Sequence, residues 1–272
     1  MITEFWANGS TPGEVLVSNG SGAAVTGLVI GLLMGLGALP DEGSAGTEDS
    51  SADAATGSGT GEGSSDSTEL GLDVPGVIRT TGRSGQTVAL TFSSGPDPKY
   101  TPGILDILDA HGIKATFCVL GSQAARYPEL IRQIAAGGHV LCDHTMTYDY
   151  ALAVRGDATM RAEIGDTVTV IRTAVPDAAV PFFRAPGGNF SSELVAVAES
   201  FGQASLGWNV DPRDWETPGA AAIQASVVNA VQPGSIVVLH DEGPNRGGTV
   251  DALDGIIDEL MAEGYQFVTP AS

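Results

Sequence analysis

Residues 87–96 read Thr-Val-Ala-Leu-Thr-Phe-Ser-Ser-Gly-Pro. The apolar, β-branched and aromatic run Thr87–Phe92 stops at two hydroxyls and a Gly-Pro pair, the pattern of a buried strand with a sharp exit. The same pattern recurs toward the C-terminus. Strands are expected at Thr87–Phe92, Lys114–Leu120, His139–His144, Val180–Arg184, Gln203–Val210, Ser235–His240 and Gln266–Thr269. Helices are expected near Thr101–Ala110, Pro128–Ala136, Ala158–Ala174, Ser191–Ser200, Pro218–Ala230 and Val250–Glu263. Short strands alternating with longer amphipathic helices specify β-α units around a parallel sheet or barrel, an α/β fold. Ser191 and Ser192 ahead of Glu193, and Thr217 ahead of Pro218, are helix start signals. Gly112, Gly137 and Gly264 stand where helices end.

In parallel barrels chemistry gathers at the C-terminal strand ends, where the following loops converge. The polar residues at or just past those ends are Ser93 and Ser94, then His144, Thr145 and Tyr148, then Arg184, then Asp211, Asp214 and Trp215, and finally His240 and Asp241. One rim is thus expected to collect every candidate site residue. His111 and His139 fall at a helix end and a strand start, where capping or solvation is expected.

The chain carries 33 acidic against 12 basic residues, a formal net charge of −21. Such a surface repels phosphate backbones and anionic headgroups, so nucleic acid is excluded as a partner class. With 42% hydrophobic residues in 272, one sizeable domain plus extra segments is expected.

Those extra segments lie at the N-terminus. Residues 1–21 are polar and contain Glu4 and Glu14 but no Lys or Arg. Residues 22–40 carry no charge and centre on Leu28, Val29, Ile30, Leu32, Leu33 and Met34; the run approaches the ~20 residues a bilayer-spanning helix needs. A membrane anchor or export signal is expected there, although neither flank carries the positive charge that normally orients one. Residues 41–75 form an acidic Ser/Gly-rich linker with almost no large apolar side chain, too few to offset the entropy of ordering. Residues 76–272 are then the folded domain, expected outside the cytoplasm and either membrane-anchored or secreted.

The stretch Thr87–Pro270 resembles the polysaccharide deacetylase family, the NodB-homology domain of carbohydrate esterase family 4, on five ordered motifs. That resemblance implies a distorted (β/α)7-type barrel and a metal-dependent hydrolase of acetylated polysaccharides. The family's Thr-Phe-Asp-Asp-Gly-Pro stands here as Thr91-Phe92-Ser93-Ser94-Gly95-Pro96, so Ser93 occupies the position of the base and Ser94 that of a metal ligand. The family's His-Thr/Ser-x-x-His stands as His144-Thr145-Met146-Thr147-Tyr148, which keeps one metal histidine and puts Tyr148 at the other. Arg184-Ala185-Pro186-Gly187-Gly188 matches the third motif, whose arginine orients the base; Asp214-Trp215 matches the fourth and Leu239-His240 the fifth. The resemblance makes His240 the general acid and Asp214 its orienting carboxylate. Trp215, Tyr150 and Phe190, with Pro186 and Gly187, are expected to line a sugar-binding groove by stacking and close backbone approach.

Deacetylation needs a nucleophilic water, a base, stabilisation of the oxyanion and an acid for the departing amine. A catalytic metal usually takes about three protein ligands and an open position. His144 alone does not supply them, and an unactivated serine is neither a base nor a charged ligand. No cofactor is therefore expected to bind tightly; Zn²⁺ or another divalent metal is the one implied if the chain is active. A rebuilt metal site would draw on Asp97, Asp143, Asp149 or the phenolate of Tyr148, though Asp143 should face away from His144 on its strand. A serine nucleophile served by His240 and Asp214 would need a Gly-x-Ser-x-Gly elbow, absent around Ser93 and Ser94. Cys118 and Cys142 are expected as inert core residues rather than a disulfide or ligands.

The reading from sequence is a deacetylase-family domain that acts on or binds N- or O-acetylated cell-wall-type glycans, with hydrolysis impaired. Two alternatives stay open: an active metal-dependent deacetylase with a rebuilt site, and a non-catalytic structural or interaction domain.

Overall fold

The structure is a computed structural model and describes residues 74–271. The expectations for residues 1–21, 22–40 and 41–73 lie outside the described residues. No helix among the described residues is long and apolar enough to cross a membrane.

Among the described residues eight strands form one parallel sheet: β1 (Val77–Ile78), β2 (Thr87–Ser93), β3 (Thr116–Val119), β4 (Val140–Asp143), β5 (Phe182–Phe183), β6 (Ala204–Leu206), β7 (Ser235–His240) and β8 (Gln266–Phe267). Their order is β1-β6-β5-β4-β3-β2-β7, with β8 also on β2. Among the described residues seven α-helices pack around them: α1 (Thr101–Ala110), α2 (Gly121–Arg126), α3 (Pro128–Ala136), α4 (Asp157–Ala174), α5 (Ser192–Ser200), α6 (Ala220–Ala230) and α7 (Gly247–Ala262). The result is an α/β half-barrel of parallel strands. Its two sides approach where Val210, beyond the end of β6, bridges in parallel to Val237 of β7.

The period of two along each strand sorts the side chains. Val88, Leu90 and Phe92 of β2, Phe117 and Val119 of β3, Leu141 of β4 and Val237 and Leu239 of β7 join Ile104, Ile131, Val227 and Ile256 of the helices in the main core. The alternate residues Ala89, Cys118, Cys142, Phe182, Leu206 and Ile236 pack on one another inside the curled sheet. Continuing that inner parity to the strand ends reaches Ser93, His144, Arg184, Trp208 and His240. The candidate site is thus the polar continuation of the inner core.

The structure departs from the sequence expectations at several points. Cys118 and Cys142 are bonded as a disulfide, not inert thiols, because β3 and β4 pair in a register that sets them directly opposite with Cα atoms 4.1 Å apart. The strand expected over Gln203–Val210 breaks after Leu206, since Gly207 to Val210 must cross from β5's side of the sheet toward β7. Helix α6 starts at Ala220 rather than Pro218; Thr217 instead closes the preceding turn at Asp214–Glu216 in a left-handed conformation. Ser191 does cap α5, accepting from the Leu194 N–H. Gly112 and Gly264 take the left-handed geometry past α1 and α7, while at α3 it is Gly138, one residue beyond Gly137, that does so. His139 is buried rather than solvated, its Nδ1 accepting from the Ala115 N–H at 3.2 Å. His111 pairs at the surface with Asp254.

Candidate functional site

The rim of the half-barrel opens into a cavity of about 520 Å³, within the usual size of small-ligand sites. Ser93, Ser94, His144, Tyr148, Tyr150, Arg184, Gly187, Trp215 and His240 line it, together with Trp208, Asp211, Glu242 and Arg246. Most of the residues singled out from the sequence therefore meet in one place.

Ser93 ends β2 and pairs with His240 at the end of β7 and with Cys118 of β3. Its Oγ accepts from Arg184 Nη1 at 2.9 Å. The rest of the Arg184 fork is fixed by carbonyls: Nε donates to Leu206 at 3.1 Å and Nη2 to Gly207 at 3.3 Å. The guanidinium also lies over the Trp208 ring. Arg184 is 1% exposed, and no carboxylate among the described residues lies within ion-pair distance of it. Burial pulls its pKa down to about 9, so at neutral pH it remains a buried cation without a counter-ion.

His144 follows β4, and its Nδ1 lies 2.8 Å from the Arg184 carbonyl. A carbonyl only accepts, so Nδ1 carries the proton and Nε2 presents a lone pair to the cavity. Burial pushes this imidazole down to about 3, which keeps it neutral. The Tyr148 ring meets His144 edge to face, and Tyr150 meets Tyr148 in the same way. Burial pushes the Tyr148 phenol upward, away from the phenolate form.

On the other wall, Asp214 is buried and receives three donors: His240 Nδ1 at 2.7 Å, the His240 N–H at 2.9 Å and Thr249 Oγ1 at 2.8 Å. This fixes the His240 ring and its tautomer and leaves Nε2 for the cavity. Arg246 holds the turn from behind through the carbonyls of Asp214, Trp215 and Glu242. Trp215 and Tyr150 are the exposed aromatics at the mouth, at 45% and 61%.

Local strain concentrates here. Ser94, Thr145, Tyr148, Arg213 and Thr217 are the non-glycine residues with positive φ among the described residues; Ser94 and Tyr148 line the cavity, Thr145 follows His144, and Arg213 and Thr217 flank the Asp214 turn. Such backbone persists only where the surroundings enforce it. Thr145 is held by the Asp143 carboxylate, Tyr148 by Thr145 Oγ1, and the Ser94 N–H by the Cys118 carbonyl.

Two expected groove residues are corrected. Phe190 does not line the cavity; it is buried against Phe183, Leu194 and Val195, because the chain turns inward ahead of α5. Pro186 is buried under its own turn, which leaves Gly187 at the surface with φ +60° against the Tyr150 ring. Sequence reasoning passed over Trp208 and Arg246. The inner parity Leu206, Trp208 would have found the first; no sequence signal marks the second, whose role depends on the loop's path.

The donor set does not fit a divalent metal. Among the described residues no group of three His, Cys, Asp or Glu could hold one. The three reserve carboxylates are committed elsewhere: Asp143 is buried with the Thr145 N–H and Gln203, its pKa raised by burial; Asp149 pairs with Arg155; Asp97 holds the Lys99 N–H. A hydroxyl at Ser94, a protonated phenol at Tyr148 and the Arg184 cation beside them leave, of the described residues at this wall, one neutral imidazole as a good ligand. Nor does any hydrogen bond join Ser93 or Ser94 to His240, as a serine nucleophile would require.

A sequence profile of the polysaccharide deacetylase family matches residues 80–206. A chitooligosaccharide deacetylase from Sinorhizobium fredii is 39% identical over 201 residues, covering 69% of this chain and 93% of its own length. A peptidoglycan-N-acetylglucosamine deacetylase from Bacillus cereus is 38% identical over 184 residues, covering 67% of this chain and 85% of its own. Among solved structures, a CE4 family pseudoenzyme from Bacillus anthracis aligns with a TM-score of 0.66 at 27% identity, over 71% of this chain and 66% of that one. A mutant of that pseudoenzyme with restored enzymatic activity aligns with the same TM-score at 28% identity, over 71% and 69%.

Proposed function

The chain belongs to the polysaccharide deacetylase family, and on that premise we propose that residues 76–272 bind acetylated cell-wall-type glycans at this rim without carrying out metal-dependent hydrolysis. The observation that carries the reading is Arg184 facing the Ser93 hydroxyl, with no carboxylate of the described residues within ion-pair distance. Water activation at this wall needs a base and a charge to bind the metal, and Ser93, Ser94 and Tyr148 offer neither. The opposite wall is better furnished: the Asp214–His240 hydrogen bond supports a role for His240 in delivering a proton to a departing amine, and Trp215 and Tyr150 offer faces on which a sugar ring stacks.

That furnished wall favours one second reading, an active metal-dependent deacetylase with a rebuilt metal site. A single comparison decides between them. The full chain and a Ser93→Asp, Ser94→Asp, Tyr148→His variant are measured for bound zinc and for acetate release from N-acetylglucosamine oligomers. Left-handed backbone at positions 94 and 148 tolerates Asp and His well. A variant that gains both properties over an inert native chain supports the disabled site; stoichiometric zinc and turnover in the native chain overturn it.

We also propose an extracytoplasmic setting, anchored or secreted through residues 22–40 and spaced by the 41–75 linker. The Cys118–Cys142 disulfide supports it, since such bonds persist in oxidising compartments. Protease accessibility of the linker on intact cells tests this.

A further inference from the structure

We propose that the cavity is a carboxylate-binding site, and that the glycan it accepts carries an acidic sugar whose carboxylate sits against Arg184 and Ser93. The inference rests on the reading that this wall holds no metal. A buried guanidinium without a counter-ion is costly, and the cost is relieved by any anion that reaches it. Ser93 accepts from Arg184, finds no acceptor for its own proton among the described residues, and lines the cavity. Ser94 lies beside it on the same lining. The Arg184 guanidinium and the Ser93 hydroxyl, hydrogen-bonded to each other on the cavity lining, describe a seat for a planar oxyanion, which forms charge-assisted bonds there.

The neighbouring group narrows the ligand further. His144 Nε2 presents a lone pair to the cavity, which would repel a bare carboxylate oxygen but accepts from a hydroxyl. A carboxylate flanked by hydroxyls, the pattern of a hexuronic acid, satisfies Arg184, Ser93 and His144 together. Trp215 and Tyr150 at the mouth suit the adjoining sugar faces. The two acids on the lining, Asp211 and Glu242, stand on the loops after β6 and β7, and neither pairs with Arg184.

The test titrates sodium acetate, sodium glucuronate and glucose into the full chain at constant ionic strength, by calorimetry, with and without a chelator. Saturable acetate binding, tighter glucuronate binding and no glucose binding are expected, all insensitive to chelation. Ser93→Asp brings its own carboxylate to Arg184 and should weaken acetate and glucuronate by at least about tenfold without lowering the melting temperature. No acetate or glucuronate binding up to roughly 100 mM, equal affinity for glucose, or undiminished affinity in Ser93→Asp each overturn the carboxylate site while leaving the disabled-deacetylase reading untouched. Acetate binding that disappears with the chelator overturns both, because a metal would then be holding it.

Discussion

Arg184 Nη1 donates to Ser93 Oγ at 2.9 Å from a side chain that is 1% exposed, so a wholly buried cation faces a hydroxyl. Removing one partner of a buried ion pair leaves the other charge uncompensated, which is more damaging than removing both. Ser93→Asp should therefore stabilise the fold by roughly 2 kcal/mol at pH 7, since only one new group must be desolvated and its donor is already in place. The pH dependence has a definite sign. Burial lowers the Arg184 pKa to about 9, so the penalty is fully present below about pH 9 and fades as pH rises above it toward the ordinary guanidinium range. The gain from Ser93→Asp should shrink across that window in urea unfolding curves; a gain independent of pH would locate it elsewhere.

Asp214 accepts three hydrogen bonds while buried. Asp214→Asn must turn an amide toward at least one of those donors, and a loss of roughly 2–3 kcal/mol in unfolding free energy is expected in denaturant titrations. In the background of Ser93→Asp, Ser94→Asp and Tyr148→His, the same change should cut acetate release by at least about a hundredfold through loss of the oriented His240. Unchanged release there would remove His240 from the proton-transfer role.

The Cys118–Cys142 bond closes a separation of 24 residues and lies wholly inside the sheet. Replacing both cysteines with alanine should lower stability by about 3 kcal/mol, in line with a loop of that size. Because neither sulfur reaches solvent, thiol titration under native conditions with reductant should detect free cysteine only as the protein unfolds. Rapid reduction of the native protein would contradict the burial.

His139 accepts from the Ala115 N–H and is held at about 4, mainly by burial and secondarily by Lys114. A folded-state pKa below the unfolded 6.5 means the unfolded chain binds the extra proton first, so stability falls as pH drops from 6.5 toward 4 and then levels. Relative to His139→Gln, the native chain should lose roughly 3 kcal/mol over that interval. Parallel curves for the two proteins would place the histidine in solvent.

The pattern of alternation in Thr87–Phe92, His139–His144 and Ser235–His240 was enough to predict that Ser93, His144 and His240 would share a rim, because parity along a strand is a local property. The missing carboxylates at 93 and 94 were equally legible, since a residue's chemistry is carried by its identity. Phe190 was misplaced because an aromatic looks the same whether its loop turns outward over a groove or inward under a helix.

The tertiary structure decided what depends on two segments meeting. Cys118 and Cys142 could be read as strand residues, but only the β3–β4 register sets them opposite one another. Likewise nothing along the chain said whether a distant acid would come to Arg184; folding brought it the Leu206 and Gly207 carbonyls and a serine instead. Side-chain direction follows from near neighbours in sequence, whereas register, loop path and the compensation of a buried charge follow from packing between elements far apart in the chain.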